Sequence, residues 1–192
     1  MHLIVGLGNP GSEYEGTRHN AGFMAADRFR VTRELGRTRR RYQGRWCEGR
    51  VCGRDVALLM PHTYMNNSGE AVRAAAVRKH ISPEEIIVIH DDMDFPFGTV
   101  RVRAGGGTGG HKGLESIAAL LGTTGFARVR IGIGRPENPF IAARDWVLSD
   151  MGVSGDELVA VLDTAADCAE AIIIDGMEAA MTRFNRRNDD KV

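Results

Sequence analysis

The sequence predicts an α/β protein, a single three-layer α/β/α domain on a mixed, mostly parallel twisted sheet. Short β-branched runs such as Ile86-Ile87-Val88-Ile89 alternate with stretches of helical periodicity, as a sheet buried on both faces requires. Four loops at apparent strand ends, "GNPG", "TRHNAG", "TYMNNSG" and "HDDMD", gather the polar residues where open α/β sheets bind ligands. The 192 residues, 43% of them hydrophobic, suffice for one well-buried domain covering 1–192.

The elements follow in order. His2 to Leu7 reads as a buried strand, and Asn20 as the cap of a helix running to about Leu35. A basic loop, "RTRRRYQGR", comes next. Arg45 to Cys52 and Val56 to Met60 flank Gly53-Arg54-Asp55 and predict a hairpin. Ser68 is placed to cap "GEAVRAAAVRKH", and Ser82-Pro83-Glu84-Glu85 supplies a first-turn signal ahead of the central strand that begins at Ile86. Thr99 to Arg103 and Ala127 to Ile133 alternate in strand fashion. Ser154 opens an amphipathic helix with Leu158, Leu162, Ala165 and Ala169 on one stripe, and Gly176 ends it after Asp175.

Composition removes several function classes. Twenty-five basic residues balance twenty-five acidic ones, so any affinity for nucleic acid must come from a local basic patch. No apolar run reaches the roughly 20 residues that span a bilayer, and Leu3-Ile4-Val5 is too short for a signal-peptide core. The three cysteines, Cys47, Cys52 and Cys168, are odd in number and lack metal spacing, which suits free thiols in the cytoplasm.

Gly6-Leu7-Gly8-Asn9-Pro10-Gly11 fits the G-x-G-x-x-G pattern of dinucleotide-binding folds. Such a site needs a helix starting inside the motif and an acidic residue about 20 residues later at the end of a second strand. The sequence offers neither, so no cofactor is expected, and the glycines read as a tight strand-to-loop turn. Asn9, beside a rigid proline at the strand tip, is then a fixed donor and acceptor facing a ligand.

His19 and Asp91 lie on separate loops that an α/β sheet brings to one edge. A carboxylate bonded to one ring nitrogen leaves the other free to take a proton, which makes His19 a candidate general base, although a lone histidine also fits a satisfied core or surface position. No G-x-S-x-G elbow is present and no cysteine adjoins a histidine, so water is the attacker. Asp91, Asp92 and Asp94 lie on one extended segment whose alternate residues point oppositely, which argues against a metal; Asp92 and Asp94 suit the turn into Phe95-Pro96-Phe97-Gly98. "AGGGTGGHKGLES" lacks the Lys-Ser/Thr ending of a phosphate-binding loop and fits a mobile loop at the mouth of the site. Arg101 and Arg103 share one strand face, as do Arg128 and Arg130; on neighbouring strands they make a phosphate-sized patch, otherwise a solvated sheet face. His111 is a candidate further donor, whereas His62, Trp146 and the arginines from Arg37 to Arg45 read as packing or solvated residues.

The blocks "VGLGNPGSEYEGTRHNAG", "PHTYMNNSGEAV", "VIHDDMDFPFGTVRVRAGGGTGGHKGLESI" and "RVRIGIGRP", in this order, resemble bacterial peptidyl-tRNA hydrolase from Leu3 to about Arg187. The resemblance implies a monomeric, cofactor-free, metal-free α/β/α enzyme of the cytoplasm. Its substrate is peptidyl-tRNA: it cleaves the ester joining peptide to the 3′-terminal ribose and so recycles prematurely released peptidyl-tRNA. It further implies that His19 activates water, that Asp91 holds it in the proton-accepting state, and that Asn9 and Asn66 position the peptide and exclude free aminoacyl-tRNA. Tyr14, Tyr64 and Met65 would line the substrate cleft, Arg103 and Arg130 would meet the tRNA 5′-phosphate, and the segment 136–150 would form a flexible lid. An ester has a better leaving group than an amide, so base catalysis without a covalent intermediate suffices.

One position departs from the family pattern: Lys112 stands where most members have asparagine. Turned inward, a lysine would disfavour a second positive charge on His19 and compete for Asp91; turned outward, it would face substrate RNA phosphate. The alternative to an enzyme is a non-catalytic RNA-binding relative of the same fold, which would have no need of His19, Asp91, Asn9 and Asn66 together.

Overall fold

The structure is a computed structural model that describes residues 1–185; Arg186 and Arg187, the last residues of the resemblance, lie outside the described residues. In chain order the elements are β1 (His2–Gly6), α1 (Ala21–Thr32), β2 (Arg39–Arg41), β3 (Gly44–Val51), β4 (Arg54–Pro61), α2 (Ser68–Lys79), β5 (Ile86–Asp92), β6 (Val100–Ala104), α3 (Lys112–Leu121), β7 (Ala127–Gly132), α4 (Ala143–Val147), α5 (Gly155–Ile174) and α6 (Met177–Phe184). The strands form one seven-stranded sheet in the order β2-β3-β4-β1-β5-β7-β6. Strands β4, β1, β5 and β7 run parallel at its centre, and antiparallel strands flank them on both sides.

Period-two alternation divides the core. Ile4, Leu58, Ile87, Ile89, Val129 and Ile131 point to the face covered by α1, α5 and α6, where Phe29, Ala165 and Ala180 meet them. Leu3, Val5, Leu59, Ile86 and Val88 point to the opposite face, against Val72 of α2 and Leu114 and Ile117 of α3. The result is the expected three-layer mixed architecture.

Two glycines place the site. A Cβ on Gly6 would strike the carbonyl oxygen of Gly22, and one on Gly22 would strike the carbonyl oxygens of Ile89 and Leu7. Helix α1 therefore begins in backbone contact with the carboxyl ends of β1 and β5, and the backbone N–H of Phe23 donates to the Leu7 oxygen at 2.9 Å. The turn just before α1 carries His19 and is thereby set beside Asp91 at the end of β5. Of the glycines of the first motif, Gly6 and Gly8 serve helix–strand approach, and Gly11, with a φ of 121°, serves the turn.

Several local expectations are corrected. Helix α1 stops at Thr32, because Glu34 takes a left-handed φ of 54° and tucks Leu35 into the core. Arg39–Arg41 pairs with Gly44–Trp46 as an edge strand and is not a loop. Ser68 does not cap α2: its hydroxyl donates back to the Met65 carbonyl at 2.9 Å. Asn20 occupies the N-cap position of α1, but its side chain is engaged elsewhere. Ser154 caps α5 through a reciprocal bond with Glu157, as its sequence implies. Helices α4 and α6 have no counterpart in the sequence reading.

Candidate active site

The first loop and the His19 turn are locked together by one amide. The backbone N–H of Asn9 donates to Asn20 Oδ1 at 2.8 Å, and Asn20 Nδ2 returns a bond to the Asn9 carbonyl at 3.1 Å. Asn9 Oδ1 accepts from the backbone N–H of Met65 at 2.9 Å, fastening the turn that carries Tyr64, Met65 and Asn66 to the end of β1. Asn9 is therefore a clamp between loops, and only its Nδ2–H group stays available as a donor. Met65 is buried with its sulfur against Gly113, while Tyr64 and Asn66 are exposed and Tyr14 is partly buried.

His19 Nδ1 lies 2.9 and 3.0 Å from the two carboxylate oxygens of Asp91, which is 3% exposed. His111 Nε2 lies 3.0 Å from Asp91 Oδ1. His111 Nδ1 caps helix α3, accepting from the backbone N–H groups of Gly113 at 3.1 Å and Leu114 at 3.4 Å. A nitrogen that accepts these bonds carries no proton, so the His111 proton sits on Nε2 and is donated to Asp91. The carboxylate, always an acceptor when ionised, takes the Nδ1 proton of His19 as well. His19 Nε2 thus keeps its lone pair, the state a general base needs.

Burial alone would raise the Asp91 carboxyl, but the adjacent His111 and His19 rings and the bonds they donate hold it well below the usual carboxylate range. Behind them, His90 donates from Nδ1 to the Asp91 carbonyl at 2.7 Å and meets His111 edge-to-face with ring centroids 5.0 Å apart. Burial, with the His111 ring beside it, pushes His90 down to about 3, so it stays neutral.

His19, Asp91 and His111 offer ligand atoms within 4.8 Å of one another, the spacing of a metal centre. Their chemistry does not suit one. A metal on His111 Nε2 would push its proton to Nδ1, where it would face two backbone N–H donors and undo the helix cap.

Asp92 and Asp94 serve other contacts. Asp92 accepts from the backbone N–H of Asp94 at 2.9 Å and from Arg130 Nε at 2.7 Å, and Asp94 pairs with Arg135 at 2.6 Å. Strands β6 and β7 are neighbours with Arg101 opposite Arg130 and Arg103 opposite Arg128, so all four arginines share one face. They are not equivalent. Arg128 is buried and donates to the carbonyls of Gly106 and Gly107, holding the glycine loop. Arg101 donates to the Phe184 carbonyl at 3.0 Å, Arg130 pairs with Asp92, and Arg103 is exposed.

Lys112 takes the outward orientation. Its ammonium pairs with Glu115 at 3.0 Å on the exposed side of α3, its side chain is 68% exposed, and it touches neither His19 nor Asp91. The inward alternative is overturned, because the first residue of α3 points away from a site that its N-cap His111 faces.

His111 and Arg18 are the residues that sequence reasoning underrated. The signal for His111 was its place just before a helix, where a side-chain acceptor is needed. Arg18 gave none. It stacks over the Trp146 ring at 3.7 Å and donates to Ser149 Oγ at 2.6 Å, to the Met151 carbonyl at 3.2 Å and to the Asp150 carbonyl. Trp146 itself donates to the Gly134 carbonyl at 2.8 Å. The segment 136–150, which contains α4, is thereby tied to the residue preceding His19.

Comparison with known proteins points one way. The model of the peptidyl-tRNA hydrolase family matches residues 3–191. The peptidyl-tRNA hydrolase of Syntrophotalea carbinolica is 43% identical over 187 residues, covering 97% of this chain and 98% of the relative. That of Geobacter sp. (strain M21) is 46% identical over 186 residues, covering 96% and 98%. The crystal structure of peptidyl-tRNA hydrolase from Acinetobacter baumannii superposes with a TM-score of 0.87 at 36% identity, covering 96% of this chain and 94% of that one.

Proposed function

Since the chain belongs to the peptidyl-tRNA hydrolase family and is an enzyme that hydrolyses peptidyl-tRNA, we propose that His19 is its general base and water its nucleophile. The observation that carries this is the paired donation of His19 Nδ1 and His111 Nε2 to the buried Asp91, which leaves His19 Nε2 as an acceptor.

His19 Nε2 takes a proton from water as the oxygen attacks the ester carbonyl. The imidazolium that forms is stabilised by Asp91 and returns the proton to the 3′-oxygen of the ribose as the tetrahedral intermediate collapses. The Nδ2–H group of Asn9 and the exposed amide of Asn66 bind the peptide carbonyl and the first peptide amide. A free aminoacyl group presents a charged amine there, which would have to be desolvated beside neutral amides, and is rejected. Tyr14 and Tyr64 line the cleft, and Met65 supports it from below. Arg103 meets the tRNA 5′-phosphate, with Arg130 holding its charge nearby through Asp92, and Lys112 faces RNA at the rim. The 136–150 segment closes over the site from its anchor on Arg18. The protein works as a monomer in the cytoplasm, where the free thiols of Cys47, Cys52 and Cys168 are at home; among the described residues no helix is long and apolar enough to cross a membrane.

Incubation with N-acetyl-aminoacyl-tRNA and with free aminoacyl-tRNA tests these roles. Release from the first alone is expected, and it should disappear in His19→Ala. A His19→Ala enzyme that deacylates at the original speed would overturn the assignment.

A further inference from the structure

The end of β4 that leads to Asn66 also carries a feature the chemistry above does not use. The hairpin of β2 and β3 turns through Tyr42 and Gln43, which adopt left-handed φ values of 51° and 52°. Two-residue hairpin turns of this kind favour Asn-Gly, and larger side chains there are strained. The strain is held by packing: Tyr42 stacks edge-on against Trp46 with centroids 4.7 Å apart, and the Gln43 carbonyl accepts from the His62 N–H at 2.8 Å. The same turn walls a cleft of about 370 Å³ lined by Arg40, Arg41, Gln43, Gly44, His62 and Thr63. Arg45 pairs with Asp27, whereas Arg40 and Arg41 are exposed and make no close ion pair among the described residues, Arg41 lying on the side of Glu48, whose carboxyl Lys79 and, to a lesser degree, Arg41 hold down. Thr63 Oγ1 is buried in the wall without a hydrogen bond. Burial, and then the charges of Arg40 and Arg45, hold His62 below its ordinary value, so the cleft is positive without a histidine proton.

Position selects the occupant. Arg103 and Arg130 lie on the β6–β7 side of the sheet, the hairpin lies at the other edge, and the strands carrying Asn9 and Asp91 lie between. With tRNA on the first side and the ester at His19, the peptide leaves past Asn66 toward the hairpin. From β1 to β2 is three strand spacings, roughly 14 Å, which an extended peptide covers in about four residues.

We propose that this cleft is a subsite for an aspartate or glutamate side chain in the peptide, about four residues before the ester-linked residue. The Arg40 guanidinium, the Gln43 amide and the Thr63 hydroxyl match the donors a carboxylate accepts, with the Arg41 charge adding to the field at the rim. The enzyme accordingly favours peptidyl-tRNAs with an acidic residue at that distance. This rests on the proposed direction of the peptide across the site.

The test compares kcat/KM for tRNA carrying N-acetylated oligoglycine peptides with Asp, Asn or Lys placed at successive positions, and N-acetyl-glycyl-tRNA as the short reference. Asp is expected to exceed Asn by about two- to five-fold at the matching position, the range of a partly exposed charge pair. Lys should fall below Asn. Arg40→Gln/Arg41→Gln should remove the preference and leave the short reference unchanged, and Arg40→Glu/Arg41→Glu should invert it toward Lys. Equal rates for Asp and Asn at every position, or a preference that persists in the double variants, overturns the proposal. So does a uniform loss on all substrates with a shallower salt dependence, which would assign the arginines to tRNA phosphate. Failure of the unaltered protein on the short reference would instead strike at the His19 assignment.

Discussion

Replacing Asp91 by asparagine probes the central claim with one atom. The carboxylate accepts from two histidines at 2.9 and 3.0 Å, whereas an amide offers one oxygen and presents N–H donors on its other side. Both of these bonds end on Oδ1, and an amide oxygen in that position has two lone pairs, so it keeps His111 and still reaches His19. The amide N–H group takes the place of Oδ2, which faces His19 Nδ1 at 3.0 Å, and sets two donors against each other. The negative charge that stabilises the His19 imidazolium is lost. General-base catalysis contributes about 10²- to 10⁴-fold, which is roughly 2.7–5.4 kcal/mol of barrier. In Asp91→Asn, kcat on N-acetyl-aminoacyl-tRNA should fall by about that factor, with KM near its original value since the ground-state contacts are untouched. An Asp91→Asn enzyme within a few-fold of the original kcat, or a loss lying wholly in KM, would refute the role of the Asp91 charge in stabilising the His19 imidazolium.

The other predictions follow from the same contacts. Lys112→Asn should leave the pH–rate profile superimposable on the original and shift stability by no more than about 0.5 kcal/mol, because it removes only an exposed pair with Glu115. Gly22→Ala should lower the thermal midpoint by about 6–12 °C, since a Cβ driven into the Ile89 and Leu7 carbonyl oxygens amounts to overpacking of about 3 kcal/mol; an unchanged midpoint would mean that α1 does not sit on β1 and β5 as described. Stability should fall with pH below about 6.5, because the unfolded chain protonates a histidine that stays neutral at His90 down to about 3. Asp91, depressed in the fold, contributes stability that is present above about 3.9 and lost as pH falls further. Denaturant titrations at several pH values should give a slope from His90 of up to about 1.4 kcal/mol per pH unit, absent in His90→Gln; identical slopes would show that His90 does not titrate on unfolding.

Much of the site was legible because its chemistry is carried by residue types with few other uses in those places. His19 and Asp91 stood on two polar loops that the sheet rule sends to one edge, and they meet there. The pairing of Arg101 with Arg130 and of Arg103 with Arg128 needed only that two alternating strands be neighbours. What misled was local capping logic. Ser68 and Asn20 are good caps in isolation, yet Ser68 turns its hydroxyl back to the Met65 carbonyl three residues before it, and Asn20 spends its amide on the first loop at Asn9. Asn9 seemed free to face a ligand because the donor to its side-chain oxygen, the Met65 N–H, lies 56 residues away.

Periodicity, turn residues and the ordered polar loops determined the layers, the central strand and the candidate base, because hydrophobic spacing and turn chemistry act over a few residues. Only the tertiary structure decided which nitrogen of His111 carries its proton, which way Lys112 points, which arginines are free, and that Arg18 joins the 136–150 segment to the catalytic turn. The arginines depend on partners distant in the chain, and His111 and Lys112 on the geometry of the formed helix α3; a hydrogen bond or ion pair exists only when geometry sets donor and acceptor within about 3 Å.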